Sequence, residues 1–462
     1  MRNVRAVLFS SVSLLLVAPA WGINRVDLLA PVPLSGPPPL VQLFELTPPV
    51  PAAGEYFAWQ VRLSDDGRTA LVGSPVEDCA AGANCGAAYV FTRSVNGWVR
   101  EAKLVPSDLR AFDTFGDISL SAAGDLALIG SVLSNCAAGA DCGAAYVFER
   151  GPGGWSERQK LVPSELGAGD RFGFPSLSDD GSIALVGAIG ARCGNVSSCG
   201  AVYVFERVGG LFVERQKLSP SDPYFQNWFG GGVTLSGDGR TAWVMGNIYG
   251  GTLPGTIYVF TQNGGTWALD SRIEAPDPAL FPFVGPADLS TDGRTGVVRG
   301  VIVDRNSFSA QGYAYFYVRD GAGWRLQAQV PVGNDTGVAL SADGNLALVG
   351  FPDVPCDGCA TARLLSRQGD SWQQIQALTS PDRGSSLLFM SLDLSADGGV
   401  ALLGLRAADC GAIDSCGTAF VFEPALDSLE VPAVSGMGLA LLAVFLAGGG
   451  ALLLRRSRFL RE

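Results

Sequence analysis

Ten cysteines are the side chains best equipped for chemistry in this chain of 462 residues, and they fall into five local pairs. The pairs are Cys79 with Cys85, Cys136 with Cys142, Cys193 with Cys199, Cys356 with Cys359, and Cys410 with Cys416. Zinc would require four thiolates to converge, whereas each pair sits in a separate stretch of chain. Five disulfides closing small loops are expected, each gaining ~2–2.5 kcal/mol for a loop of roughly 7 residues. Cys356-Asp357-Gly358-Cys359 has the spacing of a redox dithiol, but no βαβ pattern surrounds it. The chain contains no histidine. Ser-His-Asp, Cys-His and His-zinc chemistry are thereby excluded.

Carboxylates are the remaining reactive class. A glycosidase would need two of them facing one substrate, and no pair stands apart in the sequence. A calcium loop would need oxygen ligands at alternating positions, as in D-x-D-x-D-G. The acids that precede glycine come instead as adjacent doublets (Asp65-Asp66, Asp179-Asp180), as single residues (Asp238, Asp292, Asp343, Asp397), or are replaced by Ala122-Ala123. Adjacent side chains do not easily face one ion, so these are expected to be turns, with no cofactor. The sharpest candidate for a ligand contact is aromatic: Tyr224, Phe225 and Trp228, in the segment from Asp222 to Trp228.

These residues belong to a repeated framework. LSDDGRTALVG at Leu63 recurs as related segments at Leu120, Leu177, Leu235, Leu289, Leu340 and Leu394, and self-similarity at such a period marks a repeat fold. In the second unit, TFGDISLS, LALIGS, AAYVFER and WSERQKL read as four strands joined by short glycine turns and one Cys loop. Seven units of four antiparallel strands give an all-β, seven-bladed β-propeller. The seventh unit stops at Pro424 without a fourth strand, and VQLFELT (residues 41–47) resembles the missing piece. These residues are expected to close the ring as the outer strand of the last blade. Strand alternation places the Cys loops and inter-blade connections on one face and the Asp-Gly turns on the other, and the first face is expected to carry any ligand.

Phe115-Gly116, Phe172-Gly173 and Phe229-Gly230, the S-x-D-G turns and the G-x-x-Y-V-F strands resemble FG-GAP repeats over roughly residues 55–424. That resemblance implies a surface propeller for adhesion or ligand binding, in which some members hold calcium in the turn after the first strand. The acids counted above depart from that calcium pattern.

The ends supply an expected address. Residues 1–20 carry Arg2 and Arg5, an apolar run and Ala18-Pro19-Ala20, which reads as a secretory signal peptide. A Pro-rich linker occupies 21–40, the propeller 41–424, and a linker with a sorting motif 425–433. Residues 434–454 are uncharged and long enough to span a bilayer, and the basic tail 455–462 is expected on the cytoplasmic side. Val431, Pro432, Ser435, Gly438, Arg455 and Arg456 resemble the bacterial IPTL-CTERM sorting signal, a relative of PEP-CTERM tails. The resemblance implies an exosortase-like sorting protease as partner, a transient membrane anchor, and delivery to the bacterial envelope or beyond. The formal charge of −12 and pI near 4.6, with scattered Lys and Arg, give no footprint for nucleic acid. The expected function is that of a monomeric, noncatalytic binding or adhesion propeller for an extracellular protein or glycan. The alternatives are a propeller-type glycoside hydrolase or lyase, and a structural surface protein without a dedicated ligand.

Overall fold

Glycine turns divide the repeat into strands of three to eleven residues, and a computed structural model arranges them as seven four-stranded antiparallel sheets. The structure describes residues 39–246, 255–276, 287–303, 310–321, 323–334, 336–351, 361–381 and 390–424. The chain opens with β1 (Leu40–Leu46). Blade 1 is β2 (Gln60–Leu63), β3 (Thr69–Ser74), β4 (Ala87–Ser94) and β5 (Gly97–Leu104). Blade 2 is β6 (Phe115–Leu120), β7 (Leu126–Ser131), β8 (Ala144–Gly151) and β9 (Gly154–Leu161); blade 3 is β10 (Phe172–Leu177), β11 (Ile183–Ala188), β12 (Ala201–Val208) and β13 (Leu211–Leu218). Blade 4 is β14 (Gly232–Leu235), β15 (Thr241–Gly246), β16 (Thr256–Asn263) and β17 (Thr266–Glu274); blade 5 is β18 (Ala287–Leu289), β19 (Thr295–Val303), β20 (Ala310–Asp320) and β21 (Gly323–Val332). Blade 6 is β22 (Val338–Leu340), β23 (Leu346–Phe351), β24 (Thr361–Gln368) and β25 (Ser371–Thr379); β26 (Met390–Leu394), β27 (Ala401–Leu405) and β28 (Thr418–Pro424) begin blade 7.

The ring closes through β1, which lies antiparallel to β28 with Leu46 opposite Ala419 and Leu40 opposite Pro424. Gln376 of blade 6 holds the Leu40 backbone through both its amide groups. The same clamp joins Gln159 to Phe212 and Gln216 to Trp267. The second strand of each of the first four blades is buried at every position, because a neighbouring sheet covers each face.

The Phe-Gly pair explains how closely blades approach. Phe115, Phe172 and Phe229 are fully buried and meet a Tyr and a Phe of the third strand edge-on, as Phe115 meets Tyr146 and Phe148. The following glycine carbonyl then presses on a second-strand glycine of the preceding blade. A Cβ at Gly130 would collide with the Gly173 carbonyl, and one at Gly187 with that of Gly230. In blade 1 the pair is Phe57-Ala58, and Ala58 adopts φ 65°.

Among the described residues four disulfides are formed, Cys79–Cys85, Cys136–Cys142, Cys193–Cys199 and Cys410–Cys416. They do more than close their own loops. The carbonyl of the second cysteine accepts the N–H of the next blade's Phe, from Phe115 to Cys85, Phe172 to Cys142, Phe229 to Cys199 and Phe57 to Cys416, at 2.9–3.1 Å. Cys356 and Cys359 lie outside the described residues, as do the segments 1–20 and 425–462, with Val431, Pro432, Ser435, Gly438, Arg455 and Arg456. Among the described residues no helix is long and apolar enough to cross a membrane.

Candidate functional site

Each Asp-Gly hairpin consumes its own carboxylate. In the Leu63 unit, Ser64 Oγ donates to Asp66 Oδ1 at 2.6 Å, and the same oxygen accepts the Arg68 N–H at 2.9 Å. Ser178–Asp180, Ser236–Asp238, Ser290–Asp292, Ser341–Asp343 and Ser395–Asp397 repeat that geometry. This is local turn chemistry. Among the described residues no group of three or more Cys, Asp or Glu side chains could hold a metal ion.

The residue before that aspartate has a different task, which in blade 4 Gly237 shares with the backbone N–H of Asp238 itself. Backbone hydrogen bonds run from Asp65 to Ala122, Ala122 to Asp179, Asp179 to Gly237, Asp238 to Thr291, Thr291 to Ala342, Ala342 to Ala396, and Ala396 back to Asp65. Seven bonds of 2.8–3.1 Å thus form a closed girdle at the turn end of the ring. In each doublet the second acid builds the hairpin, while the first, Asp65 or Asp179, lines the central cavity. Burial, then Asp179 and Asp393, push the Asp65 carboxyl up to about 6. Asp179 is also raised by burial, although Thr291 Oγ1 donates to it at 3.0 Å. The girdle thus brings two carboxylates, Asp65 and Asp179, to the wall of the cavity.

That cavity holds about 790 Å³ and is walled mainly by the seven inner strands. An inner strand is a sheet edge, so its outward N–H groups need acceptors. Side chains of the preceding blade provide them. Ser119 Oγ accepts from the Leu177 N–H, Ser176 Oγ from Leu235, Asp288 Oδ2 from Leu340 and Asp393 Oδ2 from Leu63. One layer nearer the Cys-loop face, Ser391 Oγ accepts from Val61 and Gln60 Oε1 from Ile118.

Asp117 occupies the same layer as Gln60, one blade further on. The acceptor pattern directs it to the backbone nitrogen of residue 175, and residue 175 is proline. Its hydrogen bond comes instead from the Gln60 amide to Oδ1, at 3.1 Å. Burial pushes Asp117 up to about 7, and burial followed by the Asp393 charge pushes Asp288 to the same range. Asp393 is raised by burial against the pull of Arg62.

The carboxylates of the loop face are committed to structure. Lys160 and the Tyr146 hydroxyl both donate to Asp108, at 2.6 and 2.8 Å; Lys103 and Tyr89 meet Glu77 in the same way, and Arg272 and Tyr258 meet Asp222. The structure separates the three candidate aromatics. Phe225 is 61% exposed, Tyr224 is half-buried, and Trp228 packs on the cluster around Trp243. Trp228 takes φ 49°, like Tyr56, Thr114 and Arg171 at the equivalent position before the buried Phe. Phe112, 60% exposed in the blade 2 connection, is an aromatic that sequence reasoning passed over. Its place in the segment from Asp108 to Phe115 was the available signal. The inner-strand carboxylates were also missed; Asp288 and Asp393, each just before a Leu-Ser, and Asp117, three residues before one, were the available signal.

These features define a disulfide-containing, seven-bladed β-propeller with an amphipathic central cavity. Residues 41–91, 98–148 and 155–205 match the FG-GAP repeat model, and the chain carries FG-GAP repeats. Each matched segment joins the outer strand of one blade to the first three strands of the next, so the first begins on β1. No curated protein matches the sequence. Among solved structures, the chain is similar to the Pseudomonas aeruginosa periplasmic gluconolactonase, at 18% identity over 71% of this chain and 85% of that one, with TM-score 0.45. It is also similar to the Dos1 propeller (11% identity, 83% and 95% covered, TM-score 0.48). A hypothetical selenium-binding protein from Sulfolobus tokodaii gives 8% identity, 70% and 79% covered, and TM-score 0.49. The likeness is one of fold.

Proposed function

We propose that this chain is an exported binding or adhesion propeller, working as a monomer, that holds an extracellular protein or glycan on its Cys-loop face. The observation that carries the reading is the way this face is made rigid. The Cys79 and Cys136 loops are hydrogen-bonded to the connection entering the next blade, Ala83 to Phe112 and Ala140 to Gly169, and two connections present Phe112 and Phe225 to solvent. Aromatic side chains on a fixed scaffold suit contact surfaces. Four disulfides support an oxidising compartment. The C-terminal segment would then serve sorting by an exosortase-like protease, to the envelope or into the medium.

A glycan and matrix-protein array probed with the full chain tests the reading. Hits that disappear in Phe112→Ala/Phe225→Ala support it, and a blank array overturns it. The catalytic alternative, a glycoside hydrolase or lyase, would draw acid and base from the cavity, where Asp288 and Asp393 already accept backbone N–H groups. Turnover on chromogenic glycosides or polyuronates would establish that alternative.

A further inference from the structure

We propose that the central cavity is a second binding site, for a small organic cation bearing a primary or secondary ammonium, whose charge is met by Asp117. The site is independent of the loop-face reading. At about 790 Å³ the cavity falls within the range of small-molecule pockets. Its wall is amphipathic, with Ile118, Leu133, Val233 and Met245 beside the polar groups.

Asp117 is a carboxylate of this wall that the fold leaves without its backbone donor. Gln60 and Ser391 show what the layer does: each accepts an N–H from the next blade. Pro175 removes that N–H for Asp117, and proline is tolerated there because β10 is a sheet edge. The carboxyl is raised by burial, with no neighbouring cation among the causes. Most other charged groups of the wall have partners, Asp65 at the turn end being the exception among the described carboxylates. Asp288 and Asp393 hold backbone N–H groups, Asp179 holds Thr291, and Arg406 lies over the Trp59 ring. Arg299 is buried in β19, Arg62 bonds the Val61 carbonyl, and Asp65 and Arg171 complete the charged lining.

A carboxylate buried without a counter-ion is costly, and an ammonium placed against it removes that cost. Phe174, at the equivalent position of the next blade, adds an aromatic wall suited to a cation. Among the described residues no group of three or more Cys, Asp or Glu could hold a metal ion, and the amphipathic wall suits an organic cation.

Calorimetry on the full chain with benzylamine, against benzyl alcohol as the neutral isostere, tests the proposal. At pH 8 benzylamine should bind at least about tenfold more tightly than the alcohol, since one buried charge pair exceeds 1.4 kcal/mol. Asp117→Asn should lose that difference. Pro175→Ala, which returns an N–H to Asp117, should weaken benzylamine several-fold. Affinity should fall between pH 8 and pH 5 as Asp117 takes up its proton, and the fall should be clearly smaller in Asp117→Asn, where Asp65 and Asp288 still titrate, and retained in Asp179→Asn. Equal binding of amine and alcohol, unchanged affinity in folded Asp117→Asn, or no amine binding at millimolar concentration would each overturn the assignment.

Discussion

Removing Arg93 should loosen the ring at its closing joint far more than removing the matching arginine one joint along. Arg93 Nε of β4 lies 2.7 Å from Glu423 of β28, whose side chain is 1% exposed. Arg150, at the matching position of β8, pairs instead with Glu101 on the outer strand of blade 1 at 2.8 Å, with side chains 39% and 21% exposed. Arg93→Met strands a buried carboxylate, a loss of about 3–5 kcal/mol, whereas Arg150→Met should cost about 0–1 kcal/mol. Burial already raises Glu423 above the ordinary glutamate value, against the pull of Arg93. Without Arg93 it rises further, so the folded state keeps a proton that the unfolded chain releases above its ordinary value. The penalty is therefore largest near pH 8 and shrinks as the pH falls towards that value. Urea unfolding followed by tryptophan fluorescence at pH 8 and pH 5 reads both effects from the midpoint. Equal losses in the two variants, or a penalty independent of pH, would refute the argument; Arg93→Met/Glu423→Leu should recover much of the stability.

Asp117 and Asp288, both raised to about 7, predict a fold more stable at pH 5 than at pH 8. The unfolded chain releases these protons near 4 and the folded chain retains them, so stability is lost as pH rises between the two values; water in the channel limits the effect to about 1–2 kcal/mol per group. Paired denaturation curves for wild type and Asp117→Asn would show it. Cys136→Ser/Cys142→Ser should lower stability by about 2–3 kcal/mol and expose the Phe172 amide to hydrogen exchange, since Cys142 holds that N–H. Gly130→Ala places a Cβ against the Gly173 carbonyl and should cost about 2–4 kcal/mol, whereas Gly154→Ala meets open space and is limited to the strain of its left-handed backbone, about 1 kcal/mol. Ser236→Ala removes the hydroxyl joining Asp238 to the Thr241 N–H at a cost of about 1–2 kcal/mol, and chelator should leave the melting temperature unchanged because the turn acids are spent on local hydrogen bonds.

The fold was legible because the repeat writes each structural demand seven times. Phe-Gly recurs where blades touch, Ser-x-Asp-Gly where strands reverse, and paired cysteines where one blade meets the next. Even the break in periodicity was informative: the fourth strand absent after Pro424 is supplied by β1. Aligned repeats place the second acid of each doublet, Asp66 or Asp180, with the single acids that precede glycine. They did not reveal that the first acid enters a girdle around the axis, because its partner lies 57 or 58 residues away in sequence, from Asp65 to Ala122 and from Asp179 to Gly237.

The cavity resisted sequence reasoning for the opposite reason, since it is built from differences between units. Position 117 is Asp where its neighbours in the same layer are Gln60 and Phe174, and position 175 is Pro where Val61 and Ile118 donate an N–H. Either departure alone has a bland explanation: a polar residue facing a channel, or a proline on a sheet edge. Only the ring brings them to adjacent inner strands, where the donor withdrawn by one residue is the donor owed to the other. A repeat protein can thus conserve its scaffold through what its units share and place a specific site where two neighbouring units both depart from the pattern.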